Sequence, residues 1–167
     1  ESGVLKAWKT PGGHRRFNLE HIEGLKDQLN KEIKPPVEQR PIRVLVIEDE
    51  LDLIFLYKMT IEGWNLPVTL ATATDGFEGL IKIGAWKPDI VITDIQMPNI
   101  NGIQMLKNLS VIELYNNMLI IAVSGLSKED IDQKGGLPEG ITLFTKPIPF
   151  NEIKKIVEQQ CNRRLES

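Results

Sequence analysis

From residue 42 onward, short apolar runs alternate with longer mixed stretches. The runs occupy residues 44–47, 68–71, 90–92, 119–123 and 141–144, and they are rich in Val and Ile. Their length and β-branched content predict strands. Between them lie segments whose apolar residues recur at helical spacing. In the second, Phe77, Leu80, Ile81 and Gly84 fall at i, i+3, i+4 and i+7, and in the last Ile153, Ile156, Val157 and Gln160 do the same; both predict helices with that face turned to the core. Five strands alternating with five helices imply a three-layer α/β fold, a doubly wound five-stranded parallel sheet. Burial on both faces explains why three of the runs, 44–47, 90–92 and 119–123, are continuously apolar rather than alternating. These residues are scaffold. In such a sheet, ligands bind at the carboxyl ends of the strands, where the strand order reverses.

The segment before residue 42 is different. Pro35-Pro36 and Pro41 bracket the polar residues 37–40, which can continue neither a helix nor a central strand. This divides the chain into residues 1–26, a linker over 27–41 and a domain over 42–165. The charge divides in the same place. Residues 1–40 hold eight basic and six acidic side chains, whereas 41–167 hold 12 basic and 17 acidic. Within the head, residues 3–17 carry Lys6, Lys9, Arg15 and Arg16 and no acid, the sign expected of a surface that meets phosphates. A lone Cys161 cannot form an internal disulfide, and no apolar run approaches the roughly 20 residues of a membrane span. Both features place the expectation in the cytoplasm and away from membranes. The first residue is Glu1 and no signal-peptide pattern follows, so the chain reads as a fragment.

The candidate chemistry lies at the strand ends. The first run ends in Glu48-Asp49-Glu50, the third in Thr93-Asp94, the fourth in Ser124-Gly125 and the fifth in Thr145-Lys146-Pro147. Glu50 alone reads as an acid capping the helix that follows. Three acids, a hydroxyl and a lysine converging on one sheet edge need another explanation. A carboxylate cluster repels itself unless a cation neutralises it, and an all-oxygen set suits a hard divalent ion, Mg²⁺ above all. A carboxylate can also serve as a nucleophile and form an aspartyl phosphate, provided that the metal, a lysine and a hydroxyl meet the incoming oxygens.

In these residues the chain resembles the receiver domains of two-component response regulators, the CheY-like, flavodoxin-like fold. The family's acid pair, phosphoacceptor Asp, Ser/Thr and Lys-Pro fall on Glu48 and Asp49, Asp94, Ser124, and Lys146-Pro147, at intervals of 45, 30 and 22 residues from Asp49 onward. The loop Asp94-Ile95-Gln96-Met97-Pro98 followed by Gly102 matches as well. The resemblance implies that Asp94 accepts phosphate from a histidine kinase. It implies that Asp49, Asp94 and the backbone carbonyl of Gln96 ligate Mg²⁺, with Glu48 reaching it through water. Lys146 would contact the phosphoryl group, and Ser124 would swing in to bond a phosphoryl oxygen. Such a domain catalyses only its own phosphorylation and dephosphorylation and is no enzyme otherwise. One departure stands out: Leu143 occupies the place, three residues before the lysine, where the family carries an aromatic switch. Phe144 follows it and by strand alternation points to the opposite face. The helix over 128–134 is interrupted by Gly135-Gly136 and Pro138, which predicts a short, mobile element.

Residues 8–17 read as a hairpin, with Pro11-Gly12-Gly13 at the turn, Trp8 and Phe17 inward, and Lys9, His14, Arg15 and Arg16 outward. The Gly-Gly-His-Arg-Arg-aromatic run is similar to the wing of MerR-like and excisionase-type helix-turn-helix domains. That resemblance implies DNA as a partner of the full-length parent, with these four residues at the phosphates. Asn18 then caps a linker helix carrying Leu19, Ile22, Leu25, Leu29 and Ile33. This stripe could pair two copies in a homodimer or pack on its own receiver. Two other readings compete. A receiver could act through protein contacts or phosphorelay alone. A Mg²⁺-dependent phosphohydrolase resembling the haloacid dehalogenases would need a second acid two residues after the nucleophile, where Gln96 stands.

Overall fold

The computed structural model describes residues 7–9, 15–17, 40–98, 100–110 and 117–166. The chain divides into two compact units, Glu1–Gln39 and Arg40–Ser167. In the first, β1 (Ala7–Lys9) and β2 (Arg15–Phe17) form an antiparallel ribbon that registers Ala7 with Phe17 and Lys9 with Arg15. The turn at 10–14 and the expected linker helix from Asn18 to Ile33 lie outside the described residues.

The second unit is built on five parallel strands: β3 (Ile42–Ile47), β4 (Val68–Ala73), β5 (Ile90–Asp94), β8 (Leu119–Ser124) and β9 (Thr142–Thr145). Their order is β4-β3-β5-β8-β9, so strand order reverses at β3 and the crevice opens between β3 and β5. The helices are α1 (Leu51–Glu62), α2 (Gly76–Trp86), α3 (Gly102–Ser110), α4 (Lys128–Gln133) and α5 (Phe150–Glu166). Alternate strand residues feed two separate cores. Val44, Val46, Ile90, Ile92, Ile121 and Val123 meet Tyr57 and Ile61 of α1 and Ile153 and Val157 of α5. Leu45, Ile47, Val91, Ile120 and Ala122 meet α2, α3 and α4 through Ile83, Leu106 and Ile131. The three-layer arrangement is therefore that expected from the apolar runs. Among the described residues no helix is long and apolar enough to cross a membrane.

Two local expectations change. In α2 the stripe through Phe77 and Ile81 faces solvent, at 67% and 56% exposure. The buried face is instead Gly76, Gly79 and Ile83, with Leu80 beside them. A Cβ at Gly79 would lie 2.5 Å from Ile47 Cδ1, so this helix approaches the sheet through glycine, and counting large side chains assigned the wrong face. Directly after β5, two short strands, β6 (Gln96–Met97) and β7 (Ile100–Asn101), form an antiparallel hairpin with no apolar run to announce it. The short α4 does match its sequence. Ser127 and Asp130 close a capping box, and positive φ at Gly135 and Gly136 ends the turn.

At the opposite end of the sheet from the acids, Asp89 precedes β5 and collects three donors. Arg40 grips both carboxylate oxygens at 2.9 and 3.0 Å, Arg164 of α5 approaches to 2.6 Å, and the Arg43 N–H donates at 2.7 Å. Burial works against the charged carboxylate, but the bonds from Arg164, Arg40 and Arg43 outweigh it and hold Asp89 below the usual carboxylate range. A depressed folded value contributes stability above the unfolded pKa of about 3.9 and loses it as pH falls through the folded value. Asp89→Asn is therefore expected to cost about 1–2 kcal/mol at neutral pH, given partly exposed partners. In urea titrations the gap from the wild type should close as pH drops below about 4; an equal gap at both pH values would refute the assignment.

Candidate functional site

Each polar residue at the carboxyl edge is delivered by the end of a strand, buried in β3, β5 and β8 and half-buried in β9. Glu48 and Asp49 follow β3, Asp94 ends β5, Ser124 ends β8, and Lys146 follows β9. Because these strands are neighbours in register, with Asp94 opposite Val123 and Ser124 opposite Thr145, residues far apart in sequence end on one rim. Glu48, Asp49 and Asp94 each place a carboxylate oxygen within 4.8 Å of the others. Glu48 is 2% exposed and Asp94 5%. Lys146 Nζ lies 2.6 Å from Asp94 Oδ2 and 3.7 Å from Glu48 Oε2.

The other carboxylate oxygens of Asp94 and Glu48 accept backbone N–H groups. Asp94 Oδ1 accepts the Gln96 N–H at 2.7 Å, and Glu48 Oε1 accepts the Glu50 N–H at 3.2 Å. Glu50 occupies the N-cap position of α1, but its side chain makes no capping bond. The expected role of its carboxylate thus falls away, and its backbone steadies Glu48 instead. The Lys146 N–H donates to the Ser124 carbonyl at 2.8 Å, tying the ends of β8 and β9 together, and the Lys146–Pro147 peptide is cis.

Burial raises the Glu48 carboxyl above the ordinary range, with the Glu50 N–H and Lys146 pulling the other way. For Lys146, burial disfavours the charged form. The hydrogen bond to Asp94 and the charges of Asp94, Glu48 and Glu50 outweigh it and hold the ammonium above its usual value. Lys146 therefore stays protonated and faces three carboxylates. One ammonium cannot balance three acids, and every free donor in the cluster is oxygen, so the set fits a hard divalent cation.

Ser124 is fully buried, and its Oγ accepts the Leu126 N–H at 3.0 Å; it bonds its own loop and not the Asp94 carboxylate. Leu143 and Phe144 join opposite cores, as strand alternation requires. Lys9, Arg15 and Arg16 lie on the β1–β2 ribbon, and His14 lies outside the described residues.

Two features escaped the sequence. The Gln96 side-chain Oε1 accepts the Gly125 N–H at 3.1 Å, a bond that no sequence pattern announced. Tyr57 of α1 is 2% exposed and packs in the core with Val44, Val46 and Ile92. Its hydroxyl is driven upward in pKa by burial first and then by the charges of Glu48 and Asp94.

Known proteins are similar to this chain. Residues 44–158 match the response regulator receiver domain family. Transcriptional regulatory protein TrcR of Mycobacterium tuberculosis is 32% identical over 116 residues, covering 68% of this chain but 42% of TrcR. Chemotaxis protein CheY of Treponema pallidum is 32% identical over 126 residues, covering 71% of this chain and 80% of that protein. Among solved structures, the signal receiver domain of a DNA binding response regulator protein (merR) from Colwellia psychrerythraea superposes with a TM-score of 0.63 at 22% identity, covering 72% of this chain and 98% of that one. Vibrio cholerae CheY4 gives 0.60 at 22%, covering 71% and 98%; at these identities the likeness is one of fold. With five strands in this order, the acid cluster at the switch point and a family match over most of its length, the chain belongs to the response regulator receiver domain family.

Proposed function

We propose that residues 42–165 act as a phosphorylation-controlled switch in which Asp94 takes a phosphoryl group from the phosphohistidine of a sensor kinase. The carrying observation is the Asp94 carboxylate, ending a buried strand within 4.8 Å of two further acids and 2.6 Å from Lys146 Nζ. In the transfer, an Asp94 oxygen forms a bond to phosphorus as the P–N bond of the phosphohistidine breaks, and the imidazole leaves with the electron pair and takes a proton. Lys146 exchanges its contact with Asp94 for one with a phosphoryl oxygen. Ser124 turns its hydroxyl from Leu126 toward another. Glu48, Asp49, Asp94 and the Gln96 carbonyl are the residues that would hold Mg²⁺, which when bound supplies positive charge against the incoming phosphoryl oxygens.

The outer face of α1 supports a protein donor. The helix starts immediately after the acid cluster and leaves Leu51, Phe55 and Met59 exposed at i, i+4 and i+8. A partner that brings its phosphohistidine to Asp94 passes over this stripe. The test is addition of beryllofluoride and Mg²⁺, which mimic the phosphoryl group: backbone NMR signals of residues 124–126 should shift. No shift, or the same shift in Asp94→Asn, overturns the reading.

The output read best from the sequence is DNA. The β1–β2 ribbon carries Lys9, Arg15 and Arg16 within its six described residues, and positive charge on a paired ribbon favours a wing lying along phosphates. With residues 1–26 as that wing and 27–41 as linker, the parent protein is a cytoplasmic transcription regulator. It should bind DNA in a salt-dependent manner, and Arg15→Ala or Arg16→Ala should weaken binding across all sequences. Binding unchanged by both substitutions would leave output through protein contacts or pairing of two copies.

A further inference from the structure

Gln96 contributes to the site twice. Its N–H donates to Asp94 Oδ1 at 2.7 Å, which any residue but proline could do at this position. Its side chain does something specific: Oε1 accepts the backbone N–H of Gly125 at 3.1 Å, joining the loop after β5 to the loop after β8. The next N–H, that of Leu126, donates to Ser124 Oγ at 3.0 Å. Two consecutive backbone donors of this loop are thus each held by a neutral side-chain oxygen. The two loops leave adjacent strands side by side, since the Ile95 N–H donates to the Val123 carbonyl at 3.3 Å. Both Gln96 and Gly125 are exposed, so an arriving group can reach the bond. A Cβ at Gly125 would sit 3.0 Å from Gln96 Oε1, so a larger residue there would press on the same atom.

A neutral amide oxygen is a weaker acceptor than a charged phosphoryl oxygen, whose hydrogen bonds are roughly twice as strong. We propose that Gln96 is a placeholder: its Oε1 occupies the Gly125 N–H while Asp94 is unmodified and yields that donor to a phosphoryl oxygen on Asp94. Gln96 is then a positioning residue that sets how readily the 124–126 loop rearranges. The proposal rests on Asp94 as the phosphoacceptor.

Gln96→Met keeps side-chain length and the backbone contacts but removes the oxygen. Titrated with beryllofluoride and Mg²⁺, this variant should bind about 3- to 10-fold more tightly than the wild type, the range expected from one neutral hydrogen bond that no longer has to be broken. The Gly125 amide proton should differ between the two free proteins and coincide in the two complexes. Gln96→Glu, which retains an acceptor at the same reach, should keep the Gly125 signal near its wild-type position in the free state and bind more weakly than the wild type. Equal affinities for wild type and Gln96→Met, or a Gly125 signal unmoved by complex formation in a wild type that binds, would overturn the placeholder. A wild type that does not bind at all would overturn Asp94 itself.

Discussion

Replacing Asp94 by Asn should reduce phosphoryl incorporation from a small phosphodonor to background, a loss of about 10³-fold or more. The two side chains have the same shape, so Oδ1 of the new amide can still accept the Gln96 N–H that now bonds at 2.7 Å. What disappears is the nucleophile, together with the negative charge that faces Lys146 Nζ at 2.6 Å. The amide nitrogen would meet the ammonium as donor against donor, and Lys146 is expected to turn to Glu48 Oε2, now 3.7 Å away. Folding stability should change by no more than about 1 kcal/mol, because relief of repulsion among three carboxylates offsets the lost ion pair. A large chemical effect with a small effect on folding is the signature to seek, by intact mass spectrometry and urea unfolding on the same preparation. Label retained by the Asn variant would move the nucleophile elsewhere, with Glu48 and Asp49 the other carboxylates of the cluster.

Most of the site was legible because its chemistry is carried by charged residue types that follow apolar runs. Glu48, Asp94 and Lys146 each follow an apolar run, and parallel register alone brings them together. What the sequence hid depends on small or backbone groups. The inward face of α2 was misassigned because Gly79 makes its contact by lacking a side chain. The capping role expected of Glu50 failed because its backbone N–H, and not its carboxylate, is the group in use. The Gln96 clamp could not be inferred, since a glutamine in a loop has no pattern that reveals where its amide points. The Leu143 and Phe144 alternation was inferred correctly, because period 2 in a strand leaves no choice of face.

A second large effect should come from a single methyl group at the mouth of the hairpin beside Asp94. Gly102 opens α3, and helix propensity alone would favour Ala there by roughly 1 kcal/mol. The structure argues for the opposite sign. A Cβ at Gly102 would stand 2.5 Å from the Ile95 carbonyl oxygen, 2.8 Å from its Cα and 3.0 Å from its carbonyl carbon. These are backbone atoms and cannot rotate away. Ile95 is also pinned by its N–H to the Val123 carbonyl and follows Asp94 directly. Either α3 moves outward, opening the core around Ile103 and Leu106, both under 5% exposed, or the 94–96 loop moves and carries the phosphoacceptor with it. Gly102→Ala is therefore expected to destabilise the fold by about 3 kcal/mol, at the upper end for overpacking, and to slow phosphorylation of the molecules that remain folded. Gly84→Ala, on α2 with nothing within 4 Å of its Cβ, supplies the contrast: it should stabilise by about 0.5–1 kcal/mol and leave phosphorylation unchanged. Urea unfolding of the two variants beside the wild type decides the matter, and Gly102→Ala as stable as the wild type would mean that the 94–102 hairpin yields where the close contact with Ile95 says it cannot.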